Sequence, residues 1–158
     1  VVLRAANPYG PYQRPGRGQG LVANLMMHRL SGRPIEIWGN GATVRDYLHI
    51  DDLVSAMLAA AVYEGPHGVM NVGSGTGRSV NEVVASVDEV LGLKGAEVRY
   101  LPGRPADVPC NVLDVSRISA ELGWSAQVRW LEGLRSTADW LRQTYGGSGL
   151  AAAALQVP

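Results

Sequence analysis

The residues of this sequence that are best suited to chemistry lie within one short segment, at Arg45, Asp46, Tyr47 and His49. The apolar residues among them predict a buried strand. Polar groups in such a strand are costly to bury unless each has a partner. They form either a structural network at a strand end or an anion site, in which the planar guanidinium of Arg45 binds a phosphate. Residue types alone favour the structural network.

Two loops carry further candidates. Prolines and glycines stop helix and sheet after Asn7, so the segment from there to Gly20 is predicted to be one long loop. Loops of this length are often functional, although a solvated loop is at least as good an interpretation. A second, rigid loop at residues 102–109 contributes Arg104 and Asp107.

Composition excludes several classes of protein. The 14 basic and 14 acidic residues cancel, which argues against a general nucleic-acid or membrane surface but allows a small charged ligand at a local cluster. The single Cys110 excludes an internal disulfide framework and fits a reducing compartment, so we expect a cytoplasmic protein. The three histidines lack metal-ligand spacing, so no metal site is expected.

The glycine-rich segment from Gly73 to Gly77 follows a predicted strand and precedes a helix, as a dinucleotide-binding loop would. The dinucleotide fingerprint requires G-x-G-x-x-G, whereas this segment is G-x-G-x-G followed by Arg78. A P-loop would need a Lys-Ser/Thr ending, which is also missing. The glycines are therefore interpreted as a tight turn.

The spacing of apolar residues predicts an α/β chain in which short strands alternate with helices. The predicted strands are residues 1–5, 35–38, 44–50, 69–72 and 97–101, and the predicted helices are residues 21–30, 51–63, 79–91, a short helix ending at 122, and 131–145.

Local signals predict how these elements begin and connect. Asn40-Gly41 is typical of a hairpin turn and leads into the strand that contains Arg45. Asp51 and Asp52 are interpreted as caps of the following helix, and not as catalytic acids. Ser79, with a glutamate three residues later, predicts a capping box.

The two ends of the chain differ in character. Residues 1–5 are typical of a central strand buried on both faces, which predicts that their neighbours lie outside this sequence. Such a strand would expose an apolar edge in isolation, so the chain alone is expected to be poorly soluble or partly unfolded. Residues 146–158 are low in complexity and predict a flexible tail.

Several blocks of the sequence together resemble the extended short-chain dehydrogenases that act as NAD-dependent nucleotide-sugar epimerases and dehydratases. They cover about residues 1–142, in the family's order and with its spacing, and the similarity is greatest to UDP-glucose 4-epimerase-like members. The blocks are Leu3-Arg4-Ala5-Ala6-Asn7-Pro8-Tyr9-Gly10-Pro11, Ile37-Trp38-Gly39-Asn40-Gly41 with the run from Val44 to Asp52, Asn71-Val72-Gly73-Ser74-Gly75 with Ser79, Arg104-Pro105-Ala106-Asp107, and Leu122-Gly123-Trp124.

This resemblance implies a particular part of the family's α/β fold. Residues 1–145 would be the C-terminal substrate-binding part, including the last strand or strands of the Rossmann sheet, and residues 146–158 would be the tail. The family's N-terminal Rossmann portion, with its glycine fingerprint and catalytic Tyr-x-x-x-Lys, would precede the opening strand and is missing from this sequence. No catalytic residue is therefore expected in this chain, and the fragment alone is expected to be inactive.

The resemblance also implies roles for individual residues. Arg45 and Arg104 would clamp the diphosphate of a nucleotide sugar, and Asp107 would accept a hydrogen bond from a ribose hydroxyl. Asn7 would lie beside the sugar or the diphosphate. The other substrate contacts implied are Gln19, Gly20, Leu21, Asn24, Ile37, Trp38 and Tyr47, and the contacts implied for the nicotinamide of NAD are Asn7, Pro8 and Tyr9.

The implied activity is epimerisation through transient oxidation, in which NAD takes a hydride from a sugar carbon and returns it to the other face. The implied partners are a UDP-sugar and, at full length, a second subunit. A nucleotide-sugar 4,6-dehydratase is the alternative within the family, because the acidic pair that would distinguish it lies beside the missing catalytic Tyr. A non-catalytic nucleotide-sugar or NAD(P)-binding protein of the same fold, or a structural domain indifferent to nucleotides, also stays open.

Overall fold

The computed structural model describes residues 1–16, 19–93, 97–103 and 107–146. Within these residues the chain is an α/β fold with eight strands and five helices. The strands are β1 (Val2–Ala5), β2 (Asn7–Tyr9), β3 (Ile35–Trp38), β4 (Val44–His49), β5 (Val69–Val72), β6 (Gly77–Ser79), β7 (Val98–Leu101) and β8 (Cys110–Asn111). The helices are α1 (Leu21–Leu30), α2 (Ile50–Ala61), α3 (Val80–Leu91), α4 (Ser116–Leu122) and α5 (Trp130–Tyr145).

The described strands form three small sheets, and β4 is the central strand of the largest. β1 pairs with β5 and β3 pairs with β7, both in parallel. β4 pairs in parallel with β2 and β8 and antiparallel with β6. The strand that carries Arg45, Asp46, Tyr47 and His49 is therefore paired with strands from three distant parts of the sequence.

The two faces of β4 pack into different cores, because successive side chains of a strand point to opposite faces. Tyr47 joins a core that includes Leu134 of α5 and buried residues of α1 and α3. Leu48 joins a second core with Met70 of β5 and Trp124. Burial on both sides fixes the position of β4 and hence of its polar residues.

A buried ion pair holds α1 against α3. Arg29 donates from Nε and Nη2 to the two carboxylate oxygens of Asp88, at 2.7 and 3.0 Å, and from Nη1 to the carbonyl oxygen of Glu97 at 2.9 Å. A guanidinium that is buried must have such partners, because leaving its donors unpaired would be costly. These contacts fix α1, whose first turn borders the candidate site described below.

Most of the predicted elements are confirmed, and the helix predicted at residues 21–30 has the observed bounds. The hairpin predicted at Asn40-Gly41 is wrong, because β3 pairs with β7 and not with β4. Gly41 has a φ of 72°, and its carbonyl oxygen accepts a hydrogen bond from the backbone N–H of Asn81. The turn therefore connects two separate sheets and contacts the first turn of α3.

The prediction that the chain from Asn7 onwards is a loop is also wrong in its first residues. Asn7, Pro8 and Tyr9 form β2, in register with residues 47–49 of β4. Among the described strands β2 pairs with β4 alone, so it lies at the end of its sheet. Proline is tolerated there because its missing N–H need not join a second ladder.

The capping box at Ser79 is confirmed. Its hydroxyl oxygen accepts from the N–H of Glu82 at 3.2 Å, and the Glu82 carboxylate accepts from the N–H of Ser79 at 2.7 Å. The prediction that Asp51 and Asp52 cap α2 is wrong. The N-cap is His49, whose Nδ1 accepts from the N–H of Asp51 at 3.3 Å.

The opening strand is confirmed, and it has a described partner on only one edge. β1 pairs with β5, while Val1 and Val2 are 58% and 57% exposed. Residues 147–158 lie outside the described residues, so the flexible tail stays a prediction. None of the described helices is long and apolar enough to cross a membrane. The described residues also contain no cluster of His, Cys, Asp or Glu suited to a metal ion.

Candidate functional site

A cleft of about 420 Å³ opens beside β4 and collects residues from distant parts of the chain. β2, the first turn of α1 and β4 all contribute to its lining. Seven residues implied by the family resemblance line this cleft: Asn7, Pro8, Tyr9, Gly20, Leu21, Arg45 and Tyr47, with Asp107 from the loop before β8 as an eighth. We call this space the main cleft.

Arg45 lies in the main cleft with part of its guanidinium uncommitted. Its Nη1 donates to the carbonyl oxygens of Val44 and Val108, at 2.8 and 2.7 Å. No described residue accepts a hydrogen bond from Nε or Nη2, and no described carboxylate pairs with Arg45. The carbonyl contacts orient the guanidinium and leave one edge of its donor fork available to an anion.

Asp46, the neighbour of Arg45, is a structural residue. It is 1% exposed, and one carboxylate oxygen accepts from the N–H and the hydroxyl of Ser74, at 2.9 and 2.6 Å. The other oxygen accepts from the N–H of Gly75 at 3.1 Å and that of Leu113 at 3.4 Å. The buried charge is thus satisfied by donors from the glycine-rich loop, and it ties this loop to β4.

His49 and Asp52 also serve the structure. With Nδ1 accepting from the N–H of Asp51, the other ring nitrogen of His49 lies 3.2 Å from the Ser136 hydroxyl of α5. The carboxylate of Asp52 accepts from the backbone N–H groups of Gln127 and Val128, at 2.9 and 3.0 Å. Both side chains attach the start of α2 to the C-terminal segment. The structural interpretation of this stretch is therefore correct for Asp46 and His49.

Asn7 couples β2 to β4 at the edge of the main cleft. Its side-chain N–H donates to the carbonyl oxygen of Asp46 at 2.9 Å, which leaves the side-chain oxygen of Asn7 without a described partner. The orientation of this amide is therefore fixed by β4. An oxygen held in this way can accept a hydrogen bond from a ligand in the cleft.

Two buried tyrosine rings are part of the lining of the main cleft. Tyr9 and Tyr47 are 3% and 8% exposed, and both lie against the ring of Trp130. Burial raises the pKa of both hydroxyls, and the nearby charges of Arg78 at Tyr9 and of Arg45 at Tyr47 oppose this only in part. The phenols therefore stay protonated and present apolar ring surface with a neutral donor.

Comparison with known proteins identifies the fold around this cleft. Residues 1–73 match the sequence profile of the NAD dependent epimerase/dehydratase family. The UDP-glucose 4-epimerase of Mycolicibacterium smegmatis is 35% identical over 140 residues, which are 89% of this chain and 44% of the relative. The dTDP-glucose 4,6-dehydratase of Shigella flexneri is 30% identical over 148 residues, covering 89% of this chain and 40% of the relative.

A solved structure extends the epimerase/dehydratase similarity beyond residue 73. The crystal structure of the UDP-glucose 4-epimerase of Thermotoga maritima with UDP-glucose matches with a TM-score of 0.85 and 39% identity. The match covers 90% of this chain and 46% of that chain. The chain therefore spans less than half the length of the relatives it matches, and its fold is the α/β fold of epimerase structures.

Some residues that the family resemblance implied as contacts do not line the main cleft. Ile37 is 4% exposed in the core, and Trp38 lies on the opposite, half-exposed side of β3. Asn24 accepts from the N–H of Gly16 at 2.8 Å and donates to the carbonyl oxygen of Gln19 at 3.0 Å. The hydrogen bonds of this amide hold the loop before α1. Asn24 and Gln19 therefore position that loop but do not line the cleft.

Arg104, the second implied phosphate ligand, lies outside the described residues. Its role therefore stays a prediction. Asp107, three positions later in the sequence, does line the main cleft with Arg45.

Gln13 is a cleft residue that the sequence interpretation did not single out. Its side-chain N–H donates to the carbonyl oxygen of Pro8 at 3.2 Å, while its buried Oε1 has no described partner. Gly20, with a φ of 80°, approaches so closely that a Cβ there would lie 2.8 Å from Oε1. The only sequence signal was the position of Gln13 in a long loop, because the contact depends on how that loop returns to α1.

Proposed function

We propose that this chain forms the substrate-binding part of an NAD-dependent nucleotide-sugar epimerase that acts on a UDP-sugar such as UDP-glucose. The observation that supports this most is the main cleft, which gathers Asn7, Arg45 and Asp107 from three distant segments around one cavity. These are the same residues that the family resemblance assigned to the sugar, the diphosphate and the ribose. A structural domain indifferent to nucleotides would have no reason to leave these groups facing one space.

The diphosphate would bind to the uncommitted edge of Arg45. Charge-assisted hydrogen bonds from a guanidinium fork to phosphate oxygens are strong and directional. The two carbonyl contacts at 2.7 and 2.8 Å hold the fork in place before the ligand arrives, so less conformational freedom is lost on binding. Asp107 would accept from a ribose hydroxyl, and the side-chain oxygen of Asn7 from a hydroxyl of the sugar.

NAD fits one edge of this arrangement. Pro8 and Asn7 give β2 an exposed surface at the cleft, which would wall one side of the nicotinamide, whereas Tyr9 is buried and would support this surface from below. When bound, NAD supplies reversible hydride transfer. The sequence contains no G-x-G-x-x-G, so we propose that the other contacts of NAD come from the part of the relatives that this chain does not span.

The chain would contribute to catalysis by binding energy and not by proton transfer. Contacts to the diphosphate and ribose lie away from the reacting sugar carbon, and such contacts can hold the sugar in position for reaction. The buried rings of Tyr9 and Tyr47 and the partly buried side chain of Leu21 would exclude water from their part of the cleft. We propose that the catalytic acid and base lie outside this sequence, and that the whole protein is a homodimer.

A nucleotide-sugar 4,6-dehydratase is the second candidate, because a dTDP-glucose 4,6-dehydratase matches the chain over nearly the same residues as the epimerase. The two reactions differ in their products. An epimerase converts UDP-glucose into its 4-epimer without loss of atoms, whereas a dehydratase releases water and leaves a 4-keto-6-deoxy sugar. Incubating the intact protein with UDP-glucose or dTDP-glucose and NAD, followed by NMR of the sugar products, distinguishes them.

The binding role of Arg45 can be tested separately from the reaction. In the intact protein, Arg45→Lys should weaken UDP-glucose binding by about 1.5–3 kcal/mol, because a lysine cannot reproduce the paired contacts. Calorimetric titration measures this change. The matched control is Arg142→Lys, which alters an exposed arginine paired with Asp139 on α5 and should leave the affinity unchanged. A lower melting temperature with normal affinity in Arg45→Lys would contradict the proposal and favour a structural role.

A further inference from the structure

A second cavity, of about 230 Å³, lies next to the main cleft. Tyr9 and Tyr47 line both spaces, but the second cavity contains Arg78 where the main cleft contains Arg45. Trp130, at the start of α5, forms another part of its lining. None of the residue roles implied by the family resemblance concerns Arg78 or Trp130.

Arg78 is a half-buried cation without an acceptor among the described residues. Its guanidinium stacks on the ring of Trp130, with 4.7 Å between Cζ and the ring centroid. It makes no hydrogen bond or ion pair with any described residue. The carboxylate of Glu82 is close enough to feel its charge but is held by the N–H and hydroxyl of Ser79. The ring supplies a stacking surface, whereas the donors of the guanidinium stay unused.

The strand register adds a second, independent observation. Arg78 of β6 is directly opposite Arg45 of β4 in the antiparallel ladder. Directly opposed residues project to the same face of a sheet, where like charges repel and destabilise the pair. No described carboxylate forms an ion pair with either arginine. Such an opposed pair of cations is understandable if each arginine binds an anionic ligand.

Other groups around the second cavity are donors or are already satisfied. The Tyr9 hydroxyl makes no hydrogen bond with a described residue, and burial keeps it protonated by raising its pKa. The indole Nε1 of Trp130 is buried and has no acceptor in the described part of the chain. The acidic residue of the lining, Asp52, already accepts from Gln127 and Val128. The cavity is thus lined by donors that lack acceptors, and its one carboxylate is occupied.

We propose that the second cavity is a binding site for a phosphate-type oxyanion, held by Arg78 and separate from the main cleft. The planar fork of Arg78 would donate to two oxygens of the anion, and the Tyr9 hydroxyl would donate to a third. Binding would also offset the repulsion between the two opposed arginines. The anion can arrive free or as the terminal group of a larger phosphate ester. This proposal does not depend on which ligand the main cleft takes.

The test measures the melting temperature of the intact protein against inorganic phosphate, with ionic strength held constant by sodium chloride. The wild type should show a rise that saturates. Because Arg45 is itself proposed to bind phosphate groups in the main cleft, the Arg78 variants are compared in the Arg45→Met background, in which a saturating rise should persist. Arg78→Met, whose unbranched side chain can still pack on Trp130, should need about tenfold more phosphate or lose the effect, as expected for one charge-assisted contact. Arg78→Lys keeps the charge without the fork and should lie between the two.

Two outcomes would overturn the site. The first is an equal phosphate-dependent rise in the Arg45→Met background with and without Arg78→Met, and the second is the loss of the whole rise in Arg45→Met alone, which would place the anion in the main cleft. If Arg78→Met does not fold in this background, Arg78→Lys decides, because a titration identical to that of Arg45→Met alone would also overturn the site. Phenyl phosphate distinguishes the two sources: stabilisation by both compounds indicates a cavity open to esters, and stabilisation by phosphate alone indicates a free anion.

Discussion

Asp46 and Arg45 are neighbours in β4 with opposite roles. Asp46 uses both carboxylate oxygens to accept from Ser74, Gly75 and Leu113, whereas Arg45 keeps donors free in the main cleft. The sequence offered a structural network and an anion site as two interpretations of one segment. Each is supported for a different residue, because alternate positions of a strand face opposite sides.

Replacing the Asp46 carboxylate should therefore destabilise the fold. Asp46→Asn places an amide N–H₂ against backbone donors, so we expect the free energy of unfolding in urea to fall by about 3 kcal/mol. The matched control is Asp51→Asn, which removes an exposed carboxylate in the first turn of α2 and should cost less than about 1 kcal/mol. Equal losses in the two variants would show that the contacts of Asp46 add nothing beyond a surface charge.

At the level of elements, the capping box of α3 gives the stability a defined pH dependence. The hydrogen bonds from the N–H and hydroxyl of Ser79 hold the pKa of Glu82 below its ordinary value of 4.5. The lowered pKa means that the folded state favours the ionised carboxylate. This contribution is therefore present above pH 4.5 and is lost as the pH falls through the folded pKa.

Glu82→Gln should remove this pH dependence. We expect the difference in unfolding free energy between wild type and Glu82→Gln to be largest at neutral pH and to shrink below pH 4.5. Urea unfolding across that range measures it. Ser79→Ala removes the hydroxyl donor and should reduce the same dependence. A difference that is constant with pH would contradict the assigned cause.

A second element-level prediction concerns how α5 meets β2. Gly133 lies so close to Tyr9 that an added Cβ would overlap the Tyr9 hydroxyl oxygen, and it would lie 2.9 Å from Cδ2 of His49. Gly133→Ala should destabilise the protein by about 1–3 kcal/mol, although alanine is the better helix former. In a Tyr9→Phe background the cost should be smaller, because the overlapping atom is gone. A double-mutant cycle measures this coupling, and additive effects would rule out the contact.

The elements were more predictable than their pairing. Periodicity and capping signals predicted α1 and α3 because helices depend on residues close in sequence. The hairpin prediction at Asn40-Gly41 was wrong, because a turn signal does not distinguish a hairpin from a connection between two sheets. The pairing of β3 with β7 depends on residues about 60 positions apart, which no local pattern encodes. No local pattern predicted the role of Gln13 either, because its side-chain oxygen becomes buried without a described partner only when the loop has folded.

At the scale of the whole molecule, β1 and α2 form an apolar surface. A groove of about 590 Å³ runs between them, lined largely by apolar side chains including Leu3, Leu53 and Met57. On α2, Met57 and Leu58 are 56% and 68% exposed. Exposed apolar patches of this kind mark interaction surfaces. Since the chain spans 46% of an epimerase that it matches, we propose that the remaining part of the protein packs here.

This proposal predicts the behaviour of the chain expressed alone. With β1 paired on one edge and the apolar groove uncovered, the isolated chain should self-associate, bind a hydrophobic dye and melt without a sharp transition. It should also lack epimerase activity. Light scattering after size exclusion, dye fluorescence and calorimetry measure these properties. Coexpression with the proposed remaining part of the protein should suppress dye binding and restore a cooperative melt.

A surface variant tests whether the exposed apolar residues of α2, and not a general instability of the fold, cause the self-association of the isolated chain. Met57→Glu with Leu58→Lys should make the isolated chain more monomeric, because both side chains are exposed and the charges oppose association. In the intact protein the same pair of changes should weaken packing and lower the melting temperature. Leu93→Glu, at a less exposed apolar position after α3, is the control and should do neither. If the unaltered chain is instead a soluble monomer with a sharp melt, the surface of β1 and α2 needs no partner, and residues 1–146 fold as an independent unit.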